Sequence, residues 1–290
     1  MNIQRLTRIA KHLPIIQDSR VLRKVKKALE ERLAKASFPT EPMPEGVLQT
    51  NGKYLKVPDS VWTEVPNHRP IELVSFYPEF VWYYPKCEMR TKEWFVQNVA
   101  DDWTIFDIGA NIGYYSVLFA ELAPKGRVHA FEPTQTYEML KRNLNHNKIT
   151  NCTAHNIGMG LATGRHTDGI FRLWGSDPER LEYDFMTVDD FVRAQNIDRL
   201  DCLKIDVDSF DFEVLKGAEA TLERFNPWVV VELNHALNKR GQNNTDALEW
   251  LANRGYDKAL VLESDNFVLR RGERPFLPKT PTIELGFQYL

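Results

Sequence analysis

The sequence contains no apolar run approaching the length of a membrane-spanning helix, and its first 30 residues lack the apolar core of a secretory signal. Cysteine is scarce. Cys87, Cys152 and Cys202 are scattered without the spacing of a metal site, and two of them fall inside or beside apolar segments. They read as reduced, buried thiols, and the chain reads as cytoplasmic. A strongly basic body with interleaved aromatics is also missing, which argues against nucleic acid as a partner.

What is present describes a globular chain. Its 290 residues are 43% apolar and 27% charged, enough for one large domain, or one ordinary domain with appendages, around a sizeable core. The formal net charge of −3 hides an uneven distribution. Residues 1–40 hold ten Lys/Arg against three Asp/Glu, leaving 27 basic and 37 acidic residues for the remainder.

The stretch Thr104-Ile-Phe-Asp-Ile-Gly-Ala-Asn-Ile-Gly-Tyr-Tyr-Ser116 organises the rest. An apolar strand ends at Asp107, Gly109 and Gly113 punctuate a tight loop around Asn111, and Tyr114–Leu122 reads as a helix. Glycine lets a backbone turn sharply and approach a ligand, and the helix start offers free N–H groups. The spacing D-x-G-x-N-x-G is neither the dinucleotide fingerprint nor the phosphate loop, and no lysine accompanies it. A carboxylate beside such a loop suits the amino-acid end of S-adenosylmethionine (SAM). An ordinary strand-to-helix turn is the alternative that the loop alone leaves open.

Taken in order, residues 2–37 alternate apolar and basic positions at helical spacing, predicting two short amphipathic helices broken near Pro14. Such an arm could pack on its own domain, pair with a second subunit, or dock on an anionic membrane surface or acidic protein. Residues 36–45 form a linker. Residues 46–87 make an accessory β and aromatic region, with alternation over 53–57 and a cluster from Phe76 to Tyr84 that suits either a ligand wall or buried packing. A main domain follows over 88–290.

Within it, strands at 127–131, 152–157, 200–207 and 228–233 alternate with helices at 136–147, from Thr187, and at 212–225. Residues 160–186 form a strand-containing excursion. After a helix at 247–255, strands 258–263 and 267–270 close a hairpin at Asp265-Asn266. This pattern predicts an α/β fold, a mostly parallel sheet with one antiparallel strand. Ligands in such sheets bind beyond the carboxyl ends of the strands. Asp107, Glu132, Asn156, Asp206 and Glu232 all occupy such ends. Glu132 lies 19 residues after Gly113, where an acid can accept from both hydroxyls of a ribose. Asn156 and Ile157 would lie near an adenine.

Three segments together resemble the FkbM-type family of SAM-dependent methyltransferases: Phe-Asp-Ile-Gly-Ala-Asn-Ile-Gly-Tyr-Tyr-Ser at 106–116, Val-His-Ala-Phe-Glu-Pro at 128–133, and Leu-Lys-Ile-Asp-Val-Asp at 203–208 with Glu-Val-Leu-Lys-Gly-Ala at 213–218. The resemblance runs from about Glu88 to Leu233 and implies a class I, Rossmann-like, seven-stranded sheet. It also implies methyl transfer from SAM, usually to a hydroxyl of a saccharide, glycan or natural product. Asp107, Gly109, Asn111 and Gly113 would shape the donor's amino-acid pocket, Glu132 would hold its ribose, and Asp206 would stand beside the methyl donor. One departure is visible. Where the family commonly reads Asp-Val-Glu-Gly-Ala-Glu, this chain has Asp-Val-Asp-Ser-Phe-Asp at 206–211.

Methyl transfer to a hydroxyl gains from a general base, and the candidates are Asp206, Glu232 and His235. Some related sugar methyltransferases use a divalent metal; here Asp206, Glu232 and Asn234 could supply its ligands, but no dense carboxylate cluster with diagnostic spacing is present. The expected reading is therefore a SAM-dependent O-methyltransferase without a required metal. A non-catalytic scaffold that docks a biosynthetic complex, or a methyltransferase acting on nitrogen or nucleic acid, is the alternative.

Overall fold

A computed structural model of the chain describes residues 59–75, 80–170, 180–263, 265–272 and 282–284. The basic arm, the alternation over 53–57, and Phe76 and Tyr77 lie outside the described residues, as does the side chain of Trp82. Two short strands, β1 (Asp59–Thr63) and β2 (Ile71–Ser75), pair as an antiparallel hairpin. A helical turn, α1 (Phe80–Tyr83), runs through a 3-10 turn at Tyr84–Lys86 towards α2 (Met89–Asn98).

The main sheet then begins. β3 (Thr104–Ile108), α3 (Tyr114–Leu122), β4 (Arg127–Phe131), α4 (Thr136–His146) and β5 (Cys152–His155) form successive β-α-β units. The excursion contains β6 (Gly158–Met159), β7 (Gly164–Gly169) and β8 (Arg180–Met186), which make a separate three-stranded sheet. α5 (Val188–Ala194), β9 (Cys202–Ile205), α6 (Asp211–Lys216), α7 (Glu219–Phe225) and β10 (Trp228–Glu232) follow. Last come α8 (Asn244–Ala252), β11 (Lys258–Leu262), β12 (Asn266–Arg270) and β13 (Thr282–Glu284).

Strand order is β13-β11-β12-β10-β9-β3-β4-β5. The five strands from β10 to β5 are parallel, β12 runs antiparallel between β10 and β11, and this is the seven-stranded Rossmann-like sheet expected. β13 adds an eighth strand at the edge. Between β3 and β9 the order reverses, because the chain leaves β3 towards β4 and returns to pair with the other side of β3. A switch point of this kind opens a crevice above the strand ends.

Alternation along the strands divides the core in two. Ile105, Val128, Cys202, Trp228 and Val230 face one side with Trp94, Phe95 and Phe119 from α2 and α3. Phe106, Phe131, Leu203, Val229 and Val231 face the other with Phe191, Val214, Leu222 and Leu251. Each fully buried apolar side chain of this size contributes roughly 1.5–3 kcal/mol. The accessory hairpin joins the first side through Val61, Ile71 and Leu73. Asn143 of α4 clasps it: the Asn143 amide accepts from Val74 N at 2.7 Å, donates to Val74 O at 3.1 Å, and donates to Ile112 O in the glycine loop at 2.7 Å.

One expected helix is divided. Instead of a single helix over 212–225, α6 and α7 are separated at Gly217 and Ala218. Gly217 lies so close to the excursion that a Cβ there would stand 2.2 Å from Gly160 O, and its carbonyl accepts from Asp189 N. Thr187 caps α5 as expected, accepting from Asp190 N, while the Asp189 carboxylate caps α7 through Ala220 N and Thr221 N. Cys87, Cys152 and Cys202 are free thiols, and among the described residues no helix is long and apolar enough to cross a membrane.

Candidate active site

Above the carboxyl ends of β3, β4, β9 and β10 lies a cavity of about 820 Å³. Its floor is the glycine loop. Gly109 has φ +85, and a Cβ there would meet Asp206 O at 1.8 Å, so only glycine lets the two strand ends approach. Gly113, φ +93, stands at the N-terminus of α3 against Leu140 and, contrary to expectation, does not line the cavity. The loop is pinned by Gly109 N and Ala110 N, which both donate to Phe131 O at 3.0 Å.

Asp107 is fully buried beneath the loop. Ser116 donates to its Oδ2, whereas its Oδ1 has no hydrogen-bond partner among the described residues and lies 3.8 Å from Lys204 Nζ. Burial pushes this carboxyl up, against the pull of Lys204 and the Ser116 hydroxyl. Lys204 is only 2% exposed; it donates to Asp206 Oδ2 at 3.1 Å and covers the Tyr115 ring at 4.6 Å. Although burial opposes its charge, Asp206, Asp107 and Glu88 carry its pKa upward. Asn111 Oδ1 and the Tyr115 hydroxyl are likewise buried without a hydrogen-bond partner among the described residues.

Glu132 lines the wall beyond β4, its carboxylate accepting from Asn111 N at 3.0 Å and from Thr134 N at 2.9 Å. Asn156 is exposed and turned into the same loop, donating to Glu132 O at 2.9 Å. Neither Asn156 nor Ile157 lines the cavity; the next two residues, Gly158 and Met159, do. Ile157 packs on the second core.

Asp206, Glu232, Asn234 and His235 all line the opposite side. Asn234 donates to Glu232 Oε2 at 2.7 Å, and His235 is exposed at the rim. Burial, reinforced by Asp206, Asp211, Asp208 and Glu88, drives the Glu232 carboxyl upward. Asp211, buried in the turn after β9, accepts from Val207 N and Ser209 N; burial and the nearby Asp206 push it up to about 7. Asp208 is raised to about 6 by burial and by Asp206. The departure at 206–211 is visible in the backbone: Asp208 has φ 45 and Ser209 φ 98, the left-handed region that favours glycine.

Of the aromatic cluster expected to form either a ligand wall or buried packing, Phe80, Tyr83 and Tyr84 line the cavity, and Tyr84 pairs with Tyr114 at a centroid distance of 5.0 Å. Other lining residues were not predicted. Glu88 and Asn266 enter from α2 and β12, while Ile170 and Phe185 enter from the excursion. Among the described residues no group of three or more His, Cys, Asp or Glu is arranged to hold a metal ion.

Strand order, the switch-point crevice and an acid beneath a glycine loop together define a class I methyltransferase fold. The methyltransferase FkbM domain matches residues 107–258, and the chain belongs to that family. Methyltransferase 1 of Beauveria bassiana (strain ARSEF 2860) is 25% identical over 162 residues, 46% of this chain and 65% of that protein. The chain thus spans just under two thirds of that relative's length. Among solved structures it is similar to methyltransferase FkbM from Methylobacillus flagellatus KT, with a TM-score of 0.46 and 20% identity over 60% of this chain and 44% of the other. It is also similar to a putative methyltransferase from Streptococcus mutans in complex with SAH, with a TM-score of 0.42 and 10% identity over 64% and 98% of the two chains.

Proposed function

We propose that the chain is a SAM-dependent methyltransferase that methylates a hydroxyl of a saccharide, glycan or small natural product. The observation that carries this reading is Asp107 Oδ1, a fully buried acceptor without a hydrogen-bond donor among the described residues, on the wall of a cavity floored by the glycine loop. A buried acceptor without a donor costs roughly 1–3 kcal/mol, a cost relieved by a bound ammonium. SAM has that ammonium, and when bound supplies a methyl group on a positively charged sulfur.

The lining supports a cationic donor, with seven Asp/Glu besides the protonated Glu232 against Lys204 and Lys239. Asp107, Gly109 and Asn111 would hold the amino-acid end, Glu132 the ribose, and Gly158 and Met159 the base. Holding donor and acceptor in line can lower the barrier by roughly 7–11 kcal/mol. Proton removal falls to Asp206, whose carboxylate faces the cavity and is oriented by Lys204. Glu232, raised by burial and held by Asn234, keeps its proton at neutral pH and donates to the acceptor instead. His235, at the rim, is placed to pass the proton to solvent.

The test is a methyl-transfer screen with SAM over a panel of neutral and amino sugars, glycans and natural-product hydroxyls, with and without chelator. An O-methylated product is expected, slowed about 10²-fold or more in Asp206→Asn. Methyl transfer only to amines or nucleic acid would contradict the hydroxyl assignment.

A further inference from the structure

Glu88 immediately precedes α2, where a side chain ordinarily caps a helix, yet it makes no cap. That task is done from a distance. Glu263, just after β11, accepts from Arg90 N at 2.7 Å, Thr91 N at 3.2 Å and the Thr91 hydroxyl at 2.6 Å. Glu88 adopts φ 45 and ψ 45, a left-handed backbone uncommon for a residue with a side chain. Its carboxylate lines the cavity, where the Tyr114 hydroxyl and Asn266 Nδ2 donate to it, the latter at 3.2 Å. Helix capping therefore does not account for Glu88. It and Asn266 lie outside the matched segment 107–258, so the family match assigns neither.

The surroundings indicate the charge of what Glu88 meets. Tyr115 is 2% exposed and lines the same cavity, and its hydroxyl has no hydrogen-bond partner among the described residues. The Lys204 ammonium stands over its ring at 4.6 Å, and Glu88 is the carboxylate that acts most strongly on its hydroxyl. A buried hydroxyl without a partner beside a carboxylate marks a place for a polar ligand atom. An anion is disfavoured there, because Lys204 is already held by Asp206 and Asp107. The rings of Tyr84 and Tyr114 stand on the same wall, and aromatic faces attract cations; Lys92 Nζ already lies 5.7 Å from the Tyr114 centroid.

We propose that Glu88 binds a protonated amine of a ligand held in this cavity. The inference rests on the methyl-transfer reading for its two possible sources of that amine, the α-ammonium of the donor or an amino group on the acceptor. Two measurements separate them. Calorimetric titration of SAH into the wild type and Glu88→Gln reads the donor. Saturation-transfer NMR of glucosamine against glucose, with and without SAH, reads the acceptor.

If the amine is the donor's, Glu88→Gln weakens SAH about tenfold or more. If it is the acceptor's, SAH affinity is unchanged and a wild-type preference for glucosamine over glucose disappears. Glu88→Asp should recover part of whichever is lost. Asn266→Ala, which removes the amide that holds the Glu88 carboxylate, should weaken the same interaction and serves if Glu88→Gln does not fold. The proposal is overturned if folded Glu88→Gln, or failing that Asn266→Ala, leaves both SAH affinity and the glucosamine-to-glucose ratio at wild-type values. Absence of SAH binding in the wild type would count against the methyl-transfer reading alone, and the glucosamine arm without SAH still decides on Glu88.

Discussion

Asp107 and Lys204 are register partners on the adjacent parallel strands β3 and β9, and the Lys204 ammonium bridges from Asp107 to Asp206 two residues along its own strand. One buried cation therefore joins the carboxylate beneath the glycine loop to the carboxylate assigned to catalysis. The proposed donor pocket and the proposed acceptor side would thus share a single electrostatic link.

Lys204→Met should be strongly destabilising for that reason. With Asp107 fully buried and Lys204 2% exposed, removing the cation leaves a desolvated carboxylate uncompensated, a change that typically costs about 3–5 kcal/mol. Because burial already pushes Asp107 up, protonation would relieve part of the loss in acid. Urea unfolding should show a larger deficit at pH 8 than at pH 5. A wild-type midpoint at both pH values would remove Lys204 from this role.

Ser209→Gly should act in the opposite direction. Ser209 is buried with φ 98, a conformation glycine adopts freely, and the strain is of order 1–3 kcal/mol. Part of that is offset by the greater freedom glycine has when unfolded, so a net gain of about 1 kcal/mol is expected. Thermal unfolding would report it as a higher Tm. A lower Tm would mean the serine side chain contributes more than the backbone loses.

The carboxylates around the cavity predict a pH dependence. Asp208 and Asp211 have folded pKa values of about 6 and about 7 against an unfolded value of 3.8, so the native state holds more protons between those limits. Their contribution to stability falls as pH rises from about 4 to 7 and then levels off. His129 and His155 act the other way: burial lowers both, His155 to about 4, so the unfolded chain holds their protons below about pH 6.5. Above pH 6.5 the histidines drop out. Glu88, raised to about 7, and Glu232, raised to about 10, both by burial and by Asp206, extend the fall beyond pH 7, so Tm of the ligand-free protein should decline from pH 6.5 to 8. A rise over that interval would contradict the assigned shifts.

Much of the site was legible in the sequence because the fold places strand ends together. Asp107, Glu132, Asp206 and Glu232 each close an apolar run, and strand alternation with helices was sufficient to converge them. Asn156 followed the same logic, but its amide is used to hold the Glu132 loop, leaving the lining to Gly158 and Met159. Glu88 was not legible. It occupies a capping position, and nothing local reveals that Glu263, 175 residues later, does the capping. Lys204 carried a signal that could have been used, a charge inside the apolar strand Cys202–Ile205, where burial demands a partner. The break between α6 and α7 depends on Gly217 meeting Gly160, a contact with no local trace.

The central claim is that the crevice above β3 and β9 holds SAM. Isothermal titration of SAM and SAH into the full chain tests it most directly. Both should bind with measurable heat, and Asp107→Asn, which removes the buried negative charge, should weaken both by about tenfold or more. No detectable heat from either compound with the folded wild-type protein would contradict the account.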